Sequence, residues 1–332
     1  MVTQHAAIQA WSAVPQARTL SAVRVAVVDI GTNSTRLLVS DVAQDGTVTD
    51  LERSSEVTRL GQGVDDTGSL ADEAMERVFA VLDRYRATIE AHGATASRAV
   101  LTSAVRDAAN GAQFTDVVCH RYGLDARTIA GEEEARLTFL GATSERPPGD
   151  GTPLVVVDIG GGSTELVVGA DGAVEAFVSL QAGVVRQSER HLRSDPPDSD
   201  ELQALTAEVR ELLAGAVPEE QRERVQAAIA VAGTATSCAA IELELDPYDP
   251  ERVHGHQLQE GTCELLLAQL AAMTEEERRE VAGLQPDRAP TIVAGVVMLL
   301  ECMRAFGLDR VEVSEHDLLR GAALDAAGRM SD

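Results

Sequence analysis

The chain alternates between short apolar runs and longer amphipathic stretches, and one run occurs twice. Residues 25–41 (VAVVDIGTNSTRLLVSD) align without gaps on residues 155–170 (VVVDIGGGSTELVVGA). In both copies a Val-rich run ends at Asp-Ile-Gly, a glycine turn follows, and a second apolar run leads to an Asp-Gly pair. Short β-branched runs bounded by glycine predict buried strands, and Asp-Gly favours a tight hairpin. Each copy therefore predicts two strands joined by a glycine turn, with a third strand after the hairpin at 48–53 and 174–180.

After the first copy the pattern changes to helical spacing. Ser69 to Asp72 is typical of a capping box, and it opens a predicted helix that ends near Gly93. One face of this helix is apolar: Ala74, Val78, Val81, Leu82, Tyr85 and Ile89. The rest of this half is predicted to contain strands at 99–103 and 126–130, a polar turn at Arg106-Asp107, a helix capped by Asn110, and a helix that begins in Glu132-Glu133-Glu134.

The second copy is followed by a similar series of elements. The pattern predicts strands at 228–232 and 311–314 and helices at 199–216, 291–306 and 317–327. At 332 residues the chain exceeds the usual size of a single core. We therefore predict an α/β protein of two matching domains, residues 22–137 and 138–328, which flank a central cleft. Residues 1–21 are predicted to form a disordered extension.

Charge and composition exclude several classes of protein. The formal net charge of −26 argues against nucleic acid or an anionic membrane as a partner, whereas a small anion can be bound by a local cluster of donors. No apolar run approaches the ~18 residues that span a bilayer, and the first residues lack the pattern of a secretory signal. The four scattered cysteines are typical of reduced thiols. We therefore predict a cytoplasmic protein.

The two glycine turns are the strongest chemical signal in the chain. A strand that ends in Asp-Ile-Gly and turns through Gly, Thr or Ser brings several backbone N–H groups to one point, and such a cluster binds phosphate oxygens. A single turn of this kind could equally be a plain hairpin. Two copies at matching positions favour phosphate binding by both turns: Gly31, Thr32, Asn33 and Ser34 in the first, and Gly160, Gly161, Gly162 and Ser163 in the second.

Differences between the copies suggest different roles. Arg36 stands opposite Glu165 in the alignment, so that one copy offers a cation to an anionic chain and the other a carboxylate to a metal. Asp29 and Asp158 end apolar strands, where a carboxylate is costly unless it is paired or holds a cation. We predict metal contacts for Asp158, Glu165 and Asp29, with capping of the turn as the alternative for the two aspartates.

Two further positions carry charge near predicted strand ends. The run Glu132-Glu133-Glu134 opens a helix, where acidic residues also stabilise the helix dipole. Successive helical residues diverge by about 100°, so one or two of them face a cleft, and spacing alone does not choose among the three. Arg106 follows a strand end, where it either faces the cleft or pairs with Asp107 on the surface. His254 and His256 alternate along the chain, and nothing marks them as ligands.

Six segments in order resemble the exopolyphosphatase / guanosine pentaphosphate phosphohydrolase family of the actin-like ATPase superfamily. They are VDIGTNSTRLL, LTSAVRDAAN, IAGEEEARLTFLGA, VVDIGGGSTELVVG, DRAPTIVAGVVML and SEHDLLRGAALD, and they extend over nearly the whole chain. The resemblance implies two actin-like (ribonuclease H-like) domains, in the short, two-domain form of the family. It also implies Mg²⁺ as the cofactor, with Mn²⁺ as an alternative, and a homodimer.

The resemblance further implies an activity and the roles of single residues. Family members release terminal orthophosphate from inorganic polyphosphate or from guanosine pentaphosphate (pppGpp), so we expect a phosphoanhydride hydrolase. The family's general base directly precedes Ala-Arg-Leu, which makes it Glu134 here. Its phosphate and metal contacts transfer to Asn33, Arg106, Asp158, Gly160, Gly161, Gly162, Ser163 and Glu165. Two alternatives remain: an ATP-dependent small-molecule kinase with a nucleotide pocket beside Gly233-Thr234-Ala235, and a non-catalytic protein that binds the alarmone.

Overall fold

The computed structural model describes residues 22–147 and 149–331 and contains two β-sheets flanked by helices. The predicted extension at residues 1–21 lies outside the described residues. The strands are β1 (Ala22–Ile30), β2 (Ser34–Ala43), β3 (Val48–Val57), β4 (Ala96–Leu101), β5 (Asp125–Thr128), β6 (Leu154–Ile159), β7 (Thr164–Ala170), β8 (Ala173–Leu180), β9 (Ala227–Val231), β10 (Gln257–Gln259) and β11 (Arg310–Val313). The helices are α1 (Val64–Thr67), α2 (Asp72–His92), α3 (Ser103–Asp107), α4 (Gly111–Tyr122), α5 (Gly131–Ala142), α6 (Val184–His191), α7 (Ser199–Ala216), α8 (Glu219–Arg224), α9 (Ala232–Glu242), α10 (Pro250–Val253), α11 (Glu260–Ala271), α12 (Glu275–Arg279), α13 (Ile292–Ala305) and α14 (Leu318–Ser331), with a 3₁₀ turn at Pro286–Arg288.

Both sheets are built on the same strand order. The first sheet runs β3-β2-β1-β4-β5. The second, read in the corresponding direction, runs β8-β7-β6-β9-β11-β10. In each, three antiparallel strands are followed by a strand that pairs in parallel with the first of them, β4 with β1 and β9 with β6. The hairpins turn at Gly46 and Gly172, whose φ values of 85° and 75° suit glycine. The two copies in the sequence therefore fold as two copies of one structure.

The helix predicted after the first copy is confirmed, but its predicted start is wrong. Its apolar face is buried as expected: Ala74, Val78, Val81, Leu82, Tyr85 and Ile89. The helix begins at Asp72 after Ala71, without a side-chain cap, so Ser69 forms no capping box. The side chain of Asn110 instead exchanges two hydrogen bonds with the backbone of Leu70, at 2.9 and 3.0 Å. Asn110 precedes α4, but its side-chain amide binds the backbone of Leu70 before α2 and does not cap α4.

Most other predicted elements lie within a few residues of their predicted bounds. The exception is the segment after β4, where the short helix α3 replaces the predicted strand end and polar turn. It forms because the N–H groups of Val105 and Arg106 both donate to the carbonyl of Thr102. The helix predicted at 199–216 has these ends in the structure, since Asp198 and Glu201 form a capping box there. Within the described ranges, no helix is both long and apolar enough to cross a membrane.

The C-terminal helix returns to the first sheet. Helix α14 packs on β1 and β2 and runs beside α5. The two helices approach closely because glycines face each other: a Cβ on Gly141 would lie 2.0 Å from the carbonyl oxygen of Asp317, and a Cβ on Gly321 would lie 1.8 Å from that of Leu137. Helix α5 also runs through the predicted boundary at residue 137. The division into residues 22–137 and 138–328 therefore stays a prediction, and α14 ties the end of the chain to the first half.

Candidate active site

The two glycine turns meet at a small cavity between the sheets, of about 90 Å³. The cavity brings together all of the predicted site residues except Arg106 and Gly162. Those that line it are Asp29, Gly31, Thr32, Asn33, Ser34, Arg36, Glu134, Asp158, Gly160, Gly161, Ser163 and Glu165. The two exceptions touch lining residues, since Arg106 bonds to Glu134 and Gly162 packs on Thr32. Residues that are far apart in sequence thus converge on one site.

Each glycine turn is closed by the same backbone hydrogen bond. The N–H of Gly31 donates to the carbonyl of Ser34 at 2.9 Å, and the N–H of Gly160 donates to that of Ser163 at 3.0 Å. Helix α6 adds a contact to the second turn, because the N–H of Val184 donates to the carbonyl of Gly160 at 2.9 Å. The backbone itself therefore holds both turns in a fixed shape, as phosphate cradles require.

The two turns are also in direct contact with each other. A Cβ on Gly162 would lie 2.5 Å from Oγ of Ser103 and 2.6 Å from Oγ1 of Thr32, distances that atoms do not adopt. A Cβ on Gly161 would lie 2.9 Å from the backbone nitrogen of Asn33. Thr32 and Ser103 share a hydrogen bond of 2.8 Å behind this contact. Glycine is needed in the second turn because the first turn occupies the space of a side chain.

In the first sheet, an arginine beside the turn is held by two carboxylates. Asp29 and Arg36 are cross-strand partners, and Nε and Nη2 of Arg36 lie 2.8 and 2.7 Å from Oδ2 of Asp29. Nη1 of Arg36 pairs with Asp317, at the start of α14. Burial opposes the charge, but the carboxylates of Asp317 and Asp29 raise the pKa of Arg36. Arg36, the cation predicted to bind phosphate, is therefore paired with two aspartates, and its contact with phosphate stays a prediction.

In the second sheet, the matching positions are both acidic. Asp158 and Glu165 are cross-strand partners, 7% and 1% exposed. Burial and the charge of Glu165 raise the pKa of Asp158 to about 8, and burial raises the pKa of Glu165. Thr138 donates to Oδ2 of Asp158 at 3.5 Å, and Ser179 donates to Oε1 of Glu165 at 2.9 Å. Arg36 and Arg106 oppose these shifts, but burial outweighs them and both pKa values stay raised, so a bound cation would stabilise the pair.

The run of three glutamates presents one of its members to this pair. Glu132 is exposed and Glu133 half-buried, whereas Glu134 is 6% exposed and lines the cavity. Burial, together with the charges of Glu165 and Asp158, raises the pKa of Glu134 well above its usual value. A carboxyl group with a raised pKa is suited to accept a proton near neutral pH. The geometry thus agrees with the residue that the family resemblance selected.

Arg106 holds this carboxylate in place. Its Nη1 donates to Oε2 of Glu134 at 3.1 Å and to the carbonyl of Ile129 at 2.9 Å. Its Nε lies 4.0 Å from Asp107, which is too long for a hydrogen bond. The surface pair considered from the sequence is therefore the weaker contact, and Arg106 faces the cleft.

The carboxylates of the cavity fit a divalent cation. Asp158 and Glu165 offer oxygen atoms, the donors that Mg²⁺ and Mn²⁺ prefer. Oδ1 of Asp29 is buried and, among the described residues, lacks a hydrogen-bond partner. Burial raises the pKa of Asp29 even beside Arg36. Unpartnered and mutually repelling carboxylate oxygens are the chemistry that a hard cation satisfies, so the predicted metal ligands suit the predicted metal.

A second acidic and histidine cluster lies outside the cavity. Within the described residues, Glu145, His254 and His316 have potential ligand atoms within 4.8 Å of one another. The backbone N–H of Glu315 donates to Nδ1 of His254, and Arg320 donates to Nε2 of His316. The ring nitrogens that face Glu145 are therefore the ones left to donate a proton to it. Arg320 also donates to Glu145 at 2.7 Å. The cluster is a set of donors around one carboxylate and not a metal centre.

A larger cavity of about 800 Å³ adjoins the first. The two cavities share Arg36, Ala232, Gly233 and Arg288 as lining residues. The larger one lies beside the segment at which the kinase alternative places its nucleotide pocket. Its wall also contains Arg53, Arg279 and Tyr248, so that it combines cations with an aromatic ring. A chain-like anion with one end in the small cavity has room for its remainder here.

Several residues of the site are absent from the sequence prediction. Arg288 lies across Gly233, where a Cβ would be 1.5 Å from its Nη1, and burial lowers its pKa. Asp317 reaches Arg36 from the far end of the chain, and Ser179 reaches Glu165 from the edge strand. Arg288 and Asp317 stand in segments that carry the family resemblance, DRAPTIV and SEHD, but no local pattern gives either a role. Ser179 has no sequence signal beyond its position in a predicted strand.

Comparison with known proteins is consistent with these features. The sequence model of the Ppx/GppA phosphatase family matches residues 38–329. The chain is 38% identical over 317 residues to exopolyphosphatase 2 of Mycobacterium tuberculosis, covering 92% of this chain and 99% of that one. It is similar to the crystal structure of the Aquifex aeolicus Ppx/GppA family member, with a TM-score of 0.79, 30% identity, and 94% and 100% coverage. An exopolyphosphatase from Cytophaga hutchinsonii gives a TM-score of 0.81, 26% identity, and 91% and 98% coverage.

Proposed function

The chain belongs to the Ppx/GppA phosphatase family, and from this premise we propose that it releases terminal orthophosphate from inorganic polyphosphate by cation-assisted attack of water. Membership confirms the family resemblance, the α/β actin-like fold class and the phosphoanhydride hydrolase class predicted from the sequence. The relatives named exopolyphosphatase support polyphosphate as the substrate. The attack by water, the cation and the residue roles belong to the proposal.

One arrangement carries the proposal: a small, acid-lined cavity that opens onto a large one. The small cavity, of about 90 Å³, suits a single terminal phosphoryl group beside the two glycine turns. The adjoining cavity of about 800 Å³ has room for the remainder of a polyanion. Its arginines would bind phosphate groups, and they stand beside an equal number of acidic side chains: Asp246, Glu280, Glu315 and Asp317. Hydrolysis at the chain end, rather than in its middle, follows from this difference in size.

Each part of the site has a distinct role in the proposed reaction. The backbone N–H groups of the turns hold the terminal phosphoryl group, and Glu134 accepts the proton of the attacking water. Arg106 keeps the carboxylate of Glu134 in one orientation through its bond of 3.1 Å. Asp158 and Glu165 would hold Mg²⁺ or Mn²⁺, which when bound would neutralise charge on the phosphoryl oxygens. Asp29 would support the same cation or remain paired with Arg36.

Replacing Glu134 tests the reaction. We expect Glu134→Gln to lower turnover by roughly 10² or more, while leaving polyphosphate binding nearly intact, because the amide accepts no proton. The measurement is steady-state phosphate release, with binding followed separately by titration calorimetry. Glu132→Gln is the matched control, since Glu132 lies in the same helical turn but is exposed. Equal turnover of both variants would show that Glu134 is not the base.

A panel of substrates separates the remaining alternatives. Short and long polyphosphate, pppGpp and ATP, each with Mg²⁺ or Mn²⁺, are compared by release of free phosphate. We expect polyphosphate to be cleaved, and cleavage of pppGpp would add the alarmone as a substrate. Phosphate transfer from ATP to an acceptor, without free phosphate, would favour the kinase. Binding of pppGpp without turnover would favour the non-catalytic alarmone-binding protein.

The assembly and location of the protein belong to the same proposal. The family resemblance favours a homodimer, which size-exclusion chromatography with light scattering measures directly. The lack of nucleic acid and membrane partners rests on the net charge of −26. A cytoplasmic location rests on the scattered cysteines and on the lack of a secretory pattern in the first residues. These stay predictions.

A further inference from the structure

Ser179 lies where the acidic pair of the second sheet meets the edge strand. It is the cross-strand partner of Glu165 on β8, and its Oγ donates to Oε1 of Glu165 at 2.9 Å. Glu165 is 1% exposed, so water replaces a lost donor poorly there. The hydroxyl therefore restricts the orientation of a carboxylate that lines the cavity.

The same side chain touches the helix that carries Glu134. A Cβ on Gly131, the first residue of α5, would lie 3.1 Å from Cβ of Ser179 and 3.2 Å from its Oγ. Helix α5 approaches the strand this closely because Gly131 has no side chain. Glu134 follows in the first turn of this helix. Ser179 therefore contacts both the predicted metal ligand and the helix of the predicted base.

The matching serine of the first sheet has different surroundings. Ser55 on β3 stands opposite Arg36, in the register position that Ser179 has opposite Glu165. Ser55 is exposed, and the guanidinium opposite it is bonded to Asp29 and Asp317. The repeat thus supplies a serine at both positions, but only the second one faces a buried carboxylate.

We propose that Ser179 is a positioning residue of the hydrolytic site. Its hydroxyl orients the carboxylate of Glu165 toward the divalent cation and fixes the separation between that carboxylate and the helix of Glu134. This inference rests on the proposed function, because it requires Glu165 to bind a cation. A hydrogen bond behind a metal ligand typically changes metal affinity or activity by about 10- to 100-fold.

The test measures cation binding apart from turnover. Mn²⁺ affinity of the resting full-length protein is determined by titration calorimetry, and kcat and KM for polyphosphate are determined at saturating Mn²⁺. We expect Ser179→Ala to weaken Mn²⁺ binding by about tenfold or more and to lower kcat, with KM within about twofold of the wild-type value. Ser55→Ala is the matched control and leaves the Mn²⁺ affinity unchanged. Ser179→Cys keeps the shape of the side chain with a somewhat larger atom, but its thiol donates weakly, so we expect it to lose Mn²⁺ affinity as Ser179→Ala does.

Two results would overturn the inference. One is a wild-type Mn²⁺ affinity in Ser179→Ala, and the other is a wild-type affinity in Ser179→Cys beside a weakened Ser179→Ala, which would assign the effect to packing. If Ser179→Ala does not fold, Ser179→Cys decides the matter alone. The wild-type protein is measured first: if it neither binds Mn²⁺ nor releases phosphate, the proposed function has failed, whereas a normal wild type with unaffected variants refutes only the role of Ser179.

Discussion

The two sheets contain the same row of three positions with opposite chemistry. In the first sheet the row is Asp29, Arg36 and Ser55, and in the second it is Asp158, Glu165 and Ser179. In both rows, each residue is the cross-strand partner of the next. The backbone register is the same, so the difference lies in one exchange, arginine against glutamate. The first row pairs its aspartate with an arginine, whereas the second gathers like charges that a bound cation would balance.

This difference shows how a repeated structure acquires an asymmetric site. In the first sheet, Arg36 forms ion pairs with both Asp29 and Asp317. In the second sheet, Glu134 lies beside the row as a third carboxylate. Among the described residues, Arg106 is the only cation bonded to Glu134, so the acidic groups there outnumber the cations bonded to them. We therefore propose that one half contributes stability and a phosphate-binding turn, and that the other contributes the cation site. The following predictions test this division of roles.

Removing the acid that distinguishes the second row has the largest expected effect. Glu165→Gln takes away a predicted ligand, so we expect phosphate release to fall by about 10³-fold, or roughly 4 kcal/mol in activation free energy. Turnover is measured across a Mg²⁺ titration. Glu175→Gln serves as control, because Glu175 lies on β8 and pairs with Arg224 away from the cavity, 3.1 Å apart. Full turnover of Glu165→Gln at saturating Mg²⁺ would remove the distinction between the rows.

The aspartate of the first row is expected to matter for stability. Asp29→Asn removes the buried carboxylate that pairs with the half-buried Arg36, so the free energy of unfolding should fall by about 3 kcal/mol. Urea denaturation gives this value. Asp41→Asn is the comparison, because Asp41 pairs with the partly exposed Arg24 and such pairs contribute less than about 1 kcal/mol. An unchanged stability of Asp29→Asn would mean that the first row is not a structural ion pair.

The contact between the two turns can be broken by adding one methyl group. In Gly162→Ala the new Cβ would overlap Ser103 and Thr32, so we expect a loss of about 2 kcal/mol in unfolding free energy and a lower kcat, because the turns must separate. Gly215→Ala in α7 is the control, since nothing lies within 4 Å of its Cβ position. If both variants behave alike, the turns do not depend on each other.

The acidic pair also predicts a pH dependence of the metal-free protein. The folded-state pKa of Asp158, about 8, lies above its usual value of 3.8, so folding favours the protonated form. The stability from this group is complete below pH 3.8 and is lost as the pH rises toward 8. In EDTA, we expect wild type to lose about 1 kcal/mol or more relative to Asp158→Asn between pH 5 and pH 8. Mg²⁺ should restore it at pH 8, and parallel pH curves of the two proteins would contradict the assignment.

Local patterns predicted much of the fold. The repeat placed the paired strands, their glycine turns and their hairpins, because these features depend on residues adjacent in sequence. The predicted start of α2 failed, because the structure has no side-chain cap there and the distant Asn110 instead binds the backbone of Leu70 before the helix. The choice among Glu132, Glu133 and Glu134 also lay beyond spacing, and came from family resemblance before the buried position of Glu134 agreed with it.

The sequence by itself determined the two copies, the succession of strands and turns along each copy, and the chemical difference between Arg36 and Glu165. Only the tertiary structure decided that Asp317 pairs with Arg36, that Arg288 lies across Gly233 and that Ser179 touches both Glu165 and the start of α5. The physical reason is the range of the interactions. Turns and strands follow from neighbouring residues, whereas these contacts join distant segments that meet only when the sheets and α14 have packed, and such contacts leave no period in the sequence. The matching glycine turns and the exchange of Arg36 for Glu165 were therefore visible in the sequence, and the distant partners of these side chains were not.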